Sequence, residues 1–368
     1  MSHTILIMAG GTGGHVFPAL AVADYLRERK WQVVWLGTQS GMEAKLVPAR
    51  GYDMEWVSMS GVRGKGIVKV LMLPFSLLIA FKQAFSVIRK RKPDVVLGMG
   101  GYASFPGGMM ASLLNTPLVL HEQNSVAGLT NRVLAVVADK ILVGFPDAFS
   151  AATSNSIGKL LPKNKSAQWC GNPVRSDIAA IAEPEKRYAA REGNLRVLVI
   201  GGSQGAKALN EALPEAFKLI PAGQRPEVVH QAGAAHIDAV KAGYQSAQVK
   251  ADVLPFIDDM AARYAWCDLL VCRAGALTIA EITAAGVASV LVPFPAAVDD
   301  HQTGNAKFLS MAGAAILLPQ AEATPQNLAH ILTNLTREKL LVMANAARTL
   351  AKPDATQIAA EVCMKAAA

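Results

Sequence analysis

Four times along this chain a short apolar run ends abruptly in glycine. Ile5-Leu6-Ile7-Met8-Ala9 leads into Gly10-Gly11-Thr12-Gly13-Gly14-His15, and Asp94 to Gly98 leads into Met99-Gly100-Gly101-Tyr102. The switch recurs where Val197-Leu198-Val199-Ile200 meets Gly201-Gly202-Ser203-Gln204-Gly205, and where Asp268 to Cys272 meets Arg273-Ala274-Gly275-Ala276-Leu277. Each reads as a buried strand, a tight turn and a helix start. Glycine admits positive φ there and lets a ligand approach the backbone N–H groups of the helix, which suits phosphate. Further apolar runs at 33–36, 118–120, 140–143, 228–230 and 290–292 alternate with helical patterns such as 20–29 and 209–219. That alternation predicts parallel sheets covered on both faces. The expected architecture is α/β, two doubly wound Rossmann-like domains with ligands in the cleft between the carboxyl ends of their strands.

A chain of 368 residues suits two such domains. A polar stretch at 151–166, followed by Gly171-Asn172-Pro173-Val174-Arg175, predicts the linker. The first domain is therefore expected at 1–168 and the second at 169–349, with a C-terminal helix at about 350–368 packing back on the first. Hydrophobic residues at 52% against 17% charged exclude a disordered or fibrous chain. Cys170, Cys267, Cys272 and Cys363 form no Cys-x-x-Cys pair, which argues against disulfides and zinc and for a reducing compartment. The first strand begins with no basic stretch and apolar run ahead of it, so secretion is not expected, and the longest apolar stretch, Val70 to Phe81, has 12 residues, too few to span a bilayer.

The net charge of +8 is unevenly placed: Lys and Arg outnumber Asp and Glu by 19 to 9 in residues 1–175, against 17 to 19 in the remainder. A basic first half points to an anionic partner, whether a membrane surface, a pyrophosphate substrate or nucleic acid.

Several chemistries are disfavoured. Neither glycine turn spells Gly-x-Gly-x-x-Gly, and Leu36-Gly37-Thr38 lacks an acid for an adenosine ribose, which argues against NAD. A Gly-x-x-x-x-Gly-Lys-Ser/Thr loop and an Asp-x-Asp metal clamp are both missing. What stands out is Gly275-Ala276-Leu277-Thr278-Ile279-Ala280-Glu281, a glycine turn opening a helix with an acid in its first turns. Glu281 there can accept two ribose hydroxyls while the amides and Thr278 face a diphosphate, an interaction of about 0.3–1 kcal/mol per charge. The competing reading is that Glu281 only stabilises the start of its helix. In the first half, His15 and the strand-end group His121-Glu122-Gln123-Asn124 are candidates for proton transfer, or braces for their loops. His3, His230, His236 and His330 lack such company and read as structural.

These motifs together resemble the MurG transferases, which use UDP-N-acetylglucosamine to complete the lipid-linked disaccharide of bacterial peptidoglycan. The likeness covers nearly the whole chain: Gly10–His15, Gly98–Tyr102, His121–Asn124, Gly171–Arg175, Gly201–Gly205, Phe256-Ile257-Asp258-Asp259-Met260, Gly275–Glu281 and Asp300-His301-Gln302. It implies a GT-B fold, the donor held mainly by the second domain and the acceptor by the first. The resemblance implies that the Ile257 backbone reads the uracil edge and Glu281 the ribose. Ser203 with Ala276, Leu277 and Thr278 would take the diphosphate, Ile279 and Ala280 continuing that segment. Arg175 would contact the nucleotide, Gln302 with Asn124 the sugar hydroxyls, and Thr12, Gly13 and Gly14 the diphosphate and acceptor. The implied chemistry is inverting displacement at C1 of the donor sugar by the 4-hydroxyl of an undecaprenyl-pyrophosphoryl-muramoyl-pentapeptide (lipid I), giving a β linkage. His15 is the first candidate base and Glu122 the second, a role contributing about 10²–10⁴-fold. Amides and a helix end can stabilise the departing UDP, so no metal and no cofactor is expected.

A lipid acceptor implies a peripheral protein at the cytoplasmic face of the inner membrane, together with other wall-synthesis enzymes. It also gives sense to residues 63–92, where Val70, Leu71, Leu73, Phe75, Leu77, Leu78 and Phe81 are flanked by Arg63, Lys65, Lys69, Lys82 and Arg89 to Lys92. The segment can lie in an anionic headgroup layer; the competing reading is a buried core helix with solvated ends. Two rival functions remain. A UDP-N-acetylglucosamine 2-epimerase on the same fold needs extra carboxylates and no lipid patch. A basic nucleic-acid-binding protein needs aromatic residues among its charges, which are sparse here, so nucleic acid is not an expected partner.

Overall fold

A computed structural model describes residues 3–59, 72–149, 166–189, 191–202 and 205–368. Arg63, Lys65, Lys69, Val70 and Leu71, nearly all of the 151–166 linker, and Ser203 lie outside the described residues. The chain divides into two compact units, one of residues 1–174 with 353–368 and the other of 175–352.

In the first unit the elements run β1 Thr4–Met8, α1 Gly13–Glu28, β2 Gln32–Gly37, α2 Glu43–Ala49, β3 Asp53–Trp56, α3 Leu73–Arg91, β4 Val95–Gly98, α4 Ser104–Leu113, β5 Leu118–Glu122, α5 Leu129–Leu134, β6 Lys140–Val143 and β7 Ala167–Trp169. The second begins with two short helices, α6 Ser176–Ala179 and α7 Pro184–Ala189. It continues β8 Arg196–Ile200, α8 Lys207–Leu219, β9 Glu227–Gln231, α9 Ile237–Ser246, β10 Ala251–Leu254, α10 Met260–Trp266 and β11 Leu269–Cys272. After these come α11 Ala276–Ala285, β12 Ala288–Leu291, α12 His301–Ser310, β13 Ala315–Leu317, α13 Pro325–Asn334 and α14 Arg337–Thr349, before α15 Ala355–Ala366 rejoins the first unit.

Both sheets are parallel, as the alternating pattern predicts, in the orders β3-β2-β1-β4-β5-β6-β7 and β10-β9-β8-β11-β12-β13. The central strands are buried on both faces; Ile5, Leu6, Ile7 and Met8 are fully enclosed, as are Val197, Leu198 and Val199. Strand order reverses between β1 and β4 in one sheet and between β8 and β11 in the other. All four glycine switches therefore follow the strands flanking a reversal point, where an open α/β sheet leaves a crevice for ligand.

Helix α15 buries Ala359, Ala360 and Cys363 in the same core as Ile5, Val16 and Ala23. All four cysteines are free and buried. Among the described residues no helix is long and apolar enough to cross a membrane. Helix α3 is not a buried core helix: it turns Ala80, Ala84, Val87 and Ile88 inward and leaves Phe75, Leu78 and Ile79 more than half exposed. Those three share one face by their i, i+3, i+4 spacing, which Lys82 extends by another turn.

Candidate active site

In the first unit two glycine turns close against each other. Gly101 has φ +89°, and a Cβ there would lie 2.5 Å from the Gly10 carbonyl oxygen, so only glycine permits the approach. Gly100, at φ +95°, lies flat against the His15 ring, where a Cβ would fall 2.9 Å from Cε1. Ser104 clamps the pair by donating its hydroxyl to Met8 O at 2.9 Å and Gly100 O at 2.7 Å. From beneath, the fully buried Glu43 accepts Gly11 N–H at 2.9 Å on one carboxylate oxygen, and Thr38 N–H at 3.0 Å and Thr38 Oγ1–H at 2.8 Å on the other. Thr12 is the exposed N-cap of α1, and its side chain makes no cap hydrogen bond. Gly13 and Gly14 are the first two residues of that helix, so their amides belong to its unpaired first turn.

His15, the third residue of α1, is partly exposed and bonds through Nδ1 to Gln123 Oε1 at 2.7 Å. Gln123 is buried; its Nε2 donates to His121 O at 2.9 Å and meets His121 Nδ1 at 3.1 Å. His121 Nε2 reaches Gly171 O at 2.9 Å. Burial pushes the His121 pKa down to about 4, against the smaller opposing effects of the Gly171 bond and the Glu122 charge, so the ring is neutral at pH 7. His121 is thus a packed, hydrogen-bonded group and not a free proton carrier.

Glu122 needs a similar correction as a candidate base. Its Oε1 accepts Asn124 N–H at 2.9 Å and Asn124 Nδ2 at 3.3 Å, while its Oε2 accepts Gly128 N–H at 3.1 Å and Asn131 Nδ2 at 2.9 Å. With both oxygens committed and only 2% exposure, the carboxylate braces the β5–α5 loop. Asn124 is part of that brace.

The second unit builds its site around α11. Gly275 caps the helix, which has no acid in its first turn. Glu281 is the sixth helical residue, so it does not serve the helix start. Its Oε2 accepts the Tyr264 hydroxyl at 2.9 Å and its Oε1 lies 3.9 Å from an Arg175 guanidinium nitrogen. Burial raises its pKa to about 7, against the lowering effects of Tyr264 and Arg175. Ala276 and Ile279 are buried; Leu277, Thr278 and Ala280 are half-buried. Asn305, on α12 and fully buried, donates to Ala274 O at 3.0 Å and so fixes the turn that enters the helix.

Around this helix, Gly205 sits at φ +78° under the Ala232 carbonyl, where a Cβ has no room. Gln231 donates to Gly202 O at 2.9 Å and accepts Ile257 N–H at 3.0 Å. The Ile257 amide is therefore engaged within the protein. Gln302 accepts Phe294 N–H at 2.9 Å, beside Asp299 and Asp300, both in the left-handed region at φ +53° and +50°. Backbone held in that region marks a tightly determined loop.

Gln231, Glu43, Tyr264 and Asn305 went unassigned in the sequence, and Gln123 entered only as a member of the strand-end group 121–124. The two glutamines carried a usable signal: each is a polar residue at or just beyond the carboxyl end of an interior strand, close behind a histidine, His121 or His230. Among the described residues no group of three or more His, Cys, Asp or Glu could hold a metal ion.

Residues 5–143 match the glycosyltransferase family 28 N-terminal domain and residues 196–361 the glycosyltransferase family 28 C-terminal domain. The chain is 59% identical, over all of both chains, to the UDP-N-acetylglucosamine--N-acetylmuramyl-(pentapeptide) pyrophosphoryl-undecaprenol N-acetylglucosamine transferase of Dechloromonas aromatica. It is 57% identical to the protein of the same name from Nitrosospira multiformis over 99% of each. The crystal structure of Acinetobacter baumannii MurG superposes with a TM-score of 0.84 at 41% identity, covering 99% of each chain. With both halves matched and relatives of this identity aligned from end to end, the chain belongs to the MurG family of glycosyltransferases.

Proposed function

We propose that this chain moves N-acetylglucosamine from UDP-N-acetylglucosamine to the 4-hydroxyl of lipid I, making lipid II for peptidoglycan synthesis. The observation that carries this reading is full-length identity of 59% to a transferase of that name. Such identity also disfavours the epimerase alternative. The second unit takes the donor: Glu281 accepts the ribose hydroxyls, the Ile257 carbonyl pairs with the uracil edge, and Arg175 approaches the nucleotide. The first-turn amides of α11 at Ala276, Leu277 and Thr278 meet the diphosphate, with Ile279 and Ala280 continuing the wall, and Ser203 is assigned to the same diphosphate by the family likeness alone. Gln302 and Asn124 serve the sugar hydroxyls.

The first unit takes the acceptor at Thr12, Gly13 and Gly14. The 4-hydroxyl oxygen attacks C1 of the donor sugar from the face opposite the leaving group and inverts it. His15 Nε2 receives the hydroxyl proton as the C1–O bond to UDP breaks, and the bond's electron pair leaves on the β-phosphate. Helix-start amides stabilise that charge, each well-placed donor contributing about 3–4 kcal/mol.

The exposed face of α3 supports a peripheral seat on the cytoplasmic side of the inner membrane, Phe75, Leu78 and Ile79 entering the headgroup layer and Lys82 and Arg89 meeting anionic lipid. Roles in cell shape and division, and contact with other wall-synthesis enzymes, follow from that location. The test is transfer of labelled N-acetylglucosamine to a lipid-linked muramoyl acceptor: product with a new β-1,4 linkage supports the reading, whereas donor consumption without acceptor points to the epimerase.

A further inference from the structure

The three groups His15, Gln123 and His121 admit only one arrangement of protons. Gln123 Nε2 lies 2.9 Å from the His121 backbone carbonyl, which can only accept, so the amide nitrogen must face it. The opposite amide orientation sets two carbonyl oxygens against each other. Gln123 Oε1 therefore faces His15, and His15 Nδ1 carries the hydrogen in the 2.7 Å bond. The far end agrees independently. Gly171 O can only accept from His121 Nε2, so in the neutral ring Nδ1 is the acceptor for the second Gln123 proton. Glu122, the charged neighbour of His121, turns its carboxylate toward Asn124, Gly128 and Asn131. Every donor in the chain finds an acceptor and no proton is left to choose.

We propose that Gln123 is a positioning residue for the transfer: braced by His121 and Gly171, it holds His15 as the Nδ1–H tautomer and so keeps the Nε2 lone pair open for the acceptor's proton. A histidine free in water prefers the other tautomer, whose Nε2 is already protonated and cannot serve as a base. Which nitrogen is free is decided by the hydrogen bond the other makes. Among the described residues nothing bonds to His15 Nε2. The inference rests on the reading of His15 as the base.

The test uses the full-length protein labelled with ¹⁵N-histidine, the His15 ring signals being assigned by their loss in His15→Gln. Unmodified protein at pH 7.5 should show a pyrrole-type Nδ1 and a pyridine-type Nε2; a predominantly Nε2–H ring overturns the inference. Gln123→Met fills the same space without an amide, so His15 should move to a tautomer mixture. Turnover should then fall about three- to tenfold with KM for UDP-N-acetylglucosamine unchanged, well below the ~10⁴ cost of an enforced wrong tautomer. Gln123→Glu keeps an acceptor facing His15 but turns its second oxygen on the His121 carbonyl, so it fits as the protonated acid, whose O–H donates to His121 O. In that form it should restore both the Nδ1–H signature and most of kcat. A Gln123→Met protein that loses kcat while His15 keeps its tautomer has only a packing defect, and that also overturns the inference. Should neither variant fold, the spectrum of the unmodified protein decides. His15→Ala separates the two claims: intact kcat there removes the base reading, while an Nε2–H ring in a protein that His15→Ala does inactivate removes only this one.

Discussion

Replacing Glu281 by glutamine separates what its burial costs from what its charge does. The folded protein holds this carboxyl at a pKa of about 7 against an ordinary 4.5, burial being the largest cause. An acid whose folded pKa is raised keeps its proton in the native state after the unfolded chain has released it, so stability falls as pH rises from about 4.5 to 7. At 1.36 kcal/mol per pH unit the full span is roughly 3 kcal/mol. Glutamine can still accept the Tyr264 hydroxyl bond but never ionises. The Glu281→Gln protein should therefore match the parent near pH 5 and be more stable by about 2–3 kcal/mol at pH 8. The measurement is urea unfolding at both pH values, read on the transition that UDP-N-acetylglucosamine shifts. Titration calorimetry with the same donor gives the other half. Loss of charge-assisted hydrogen bonds to the ribose should weaken donor binding about 10- to 100-fold. In the parent, affinity should drop about fivefold from pH 7 to pH 6 as the carboxylate is protonated. A stability difference that stays flat between pH 5 and 8 refutes the burial argument, and an unchanged donor affinity refutes the ribose assignment.

Other outcomes follow from the same geometry. His15→Ala should lower kcat about 10²–10⁴-fold with little change in donor KM, checked by steady-state kinetics. Glu43→Ala strands two backbone N–H groups and a hydroxyl in the interior beneath the first glycine turn and should destabilise the first unit by about 3 kcal/mol or more, measured by chemical denaturation. His121 and His230 are held neutral by burial at about 4, below the ordinary 6.5, so each unit loses stability as pH falls through 6.5, by roughly 2 kcal/mol per histidine at pH 5. Acid unfolding curves that are flat from pH 7 to 5 contradict this. Phe75→Ser with Leu78→Ser should weaken binding to anionic liposomes in a flotation assay while leaving the melting temperature nearly unchanged, because both side chains are already more than 60% exposed.

Central strands were easy to read from residues alone and edge strands were not. β1, β4, β5, β8, β9, β11 and β12 are buried on both faces and so appear as apolar runs. β3 (Asp53-Met54-Glu55-Trp56), β7, β10 and β13 close the four sheet edges; the first three carry polar residues and leave no such run, and β13 is apolar but only three residues long and half-exposed at Ile316 and Leu317. Glycine turns were visible for the same reason that they are functional, since positive φ and close backbone approach demand that residue. Polar side chains were visible as types but not as partners. In sequence Glu122 stands second to His15 as a candidate base, and only the bonds to Asn124, Gly128 and Asn131 reveal it as a brace. Gln123 acquires its role from His15 and from Gly171, which lie 108 and 48 residues away along the chain, beyond the reach of any local pattern.

The return of α15 to the first unit sets an order of assembly. Ala359, Ala360 and Cys363 belong to the same core as β1, so a nascent chain cannot complete its amino-terminal half until residues 355–366 have been synthesised. The later-encoded half is closed by residue 352, so a released chain cut at that point would hold all the residues of one core and lack the helix that completes the other.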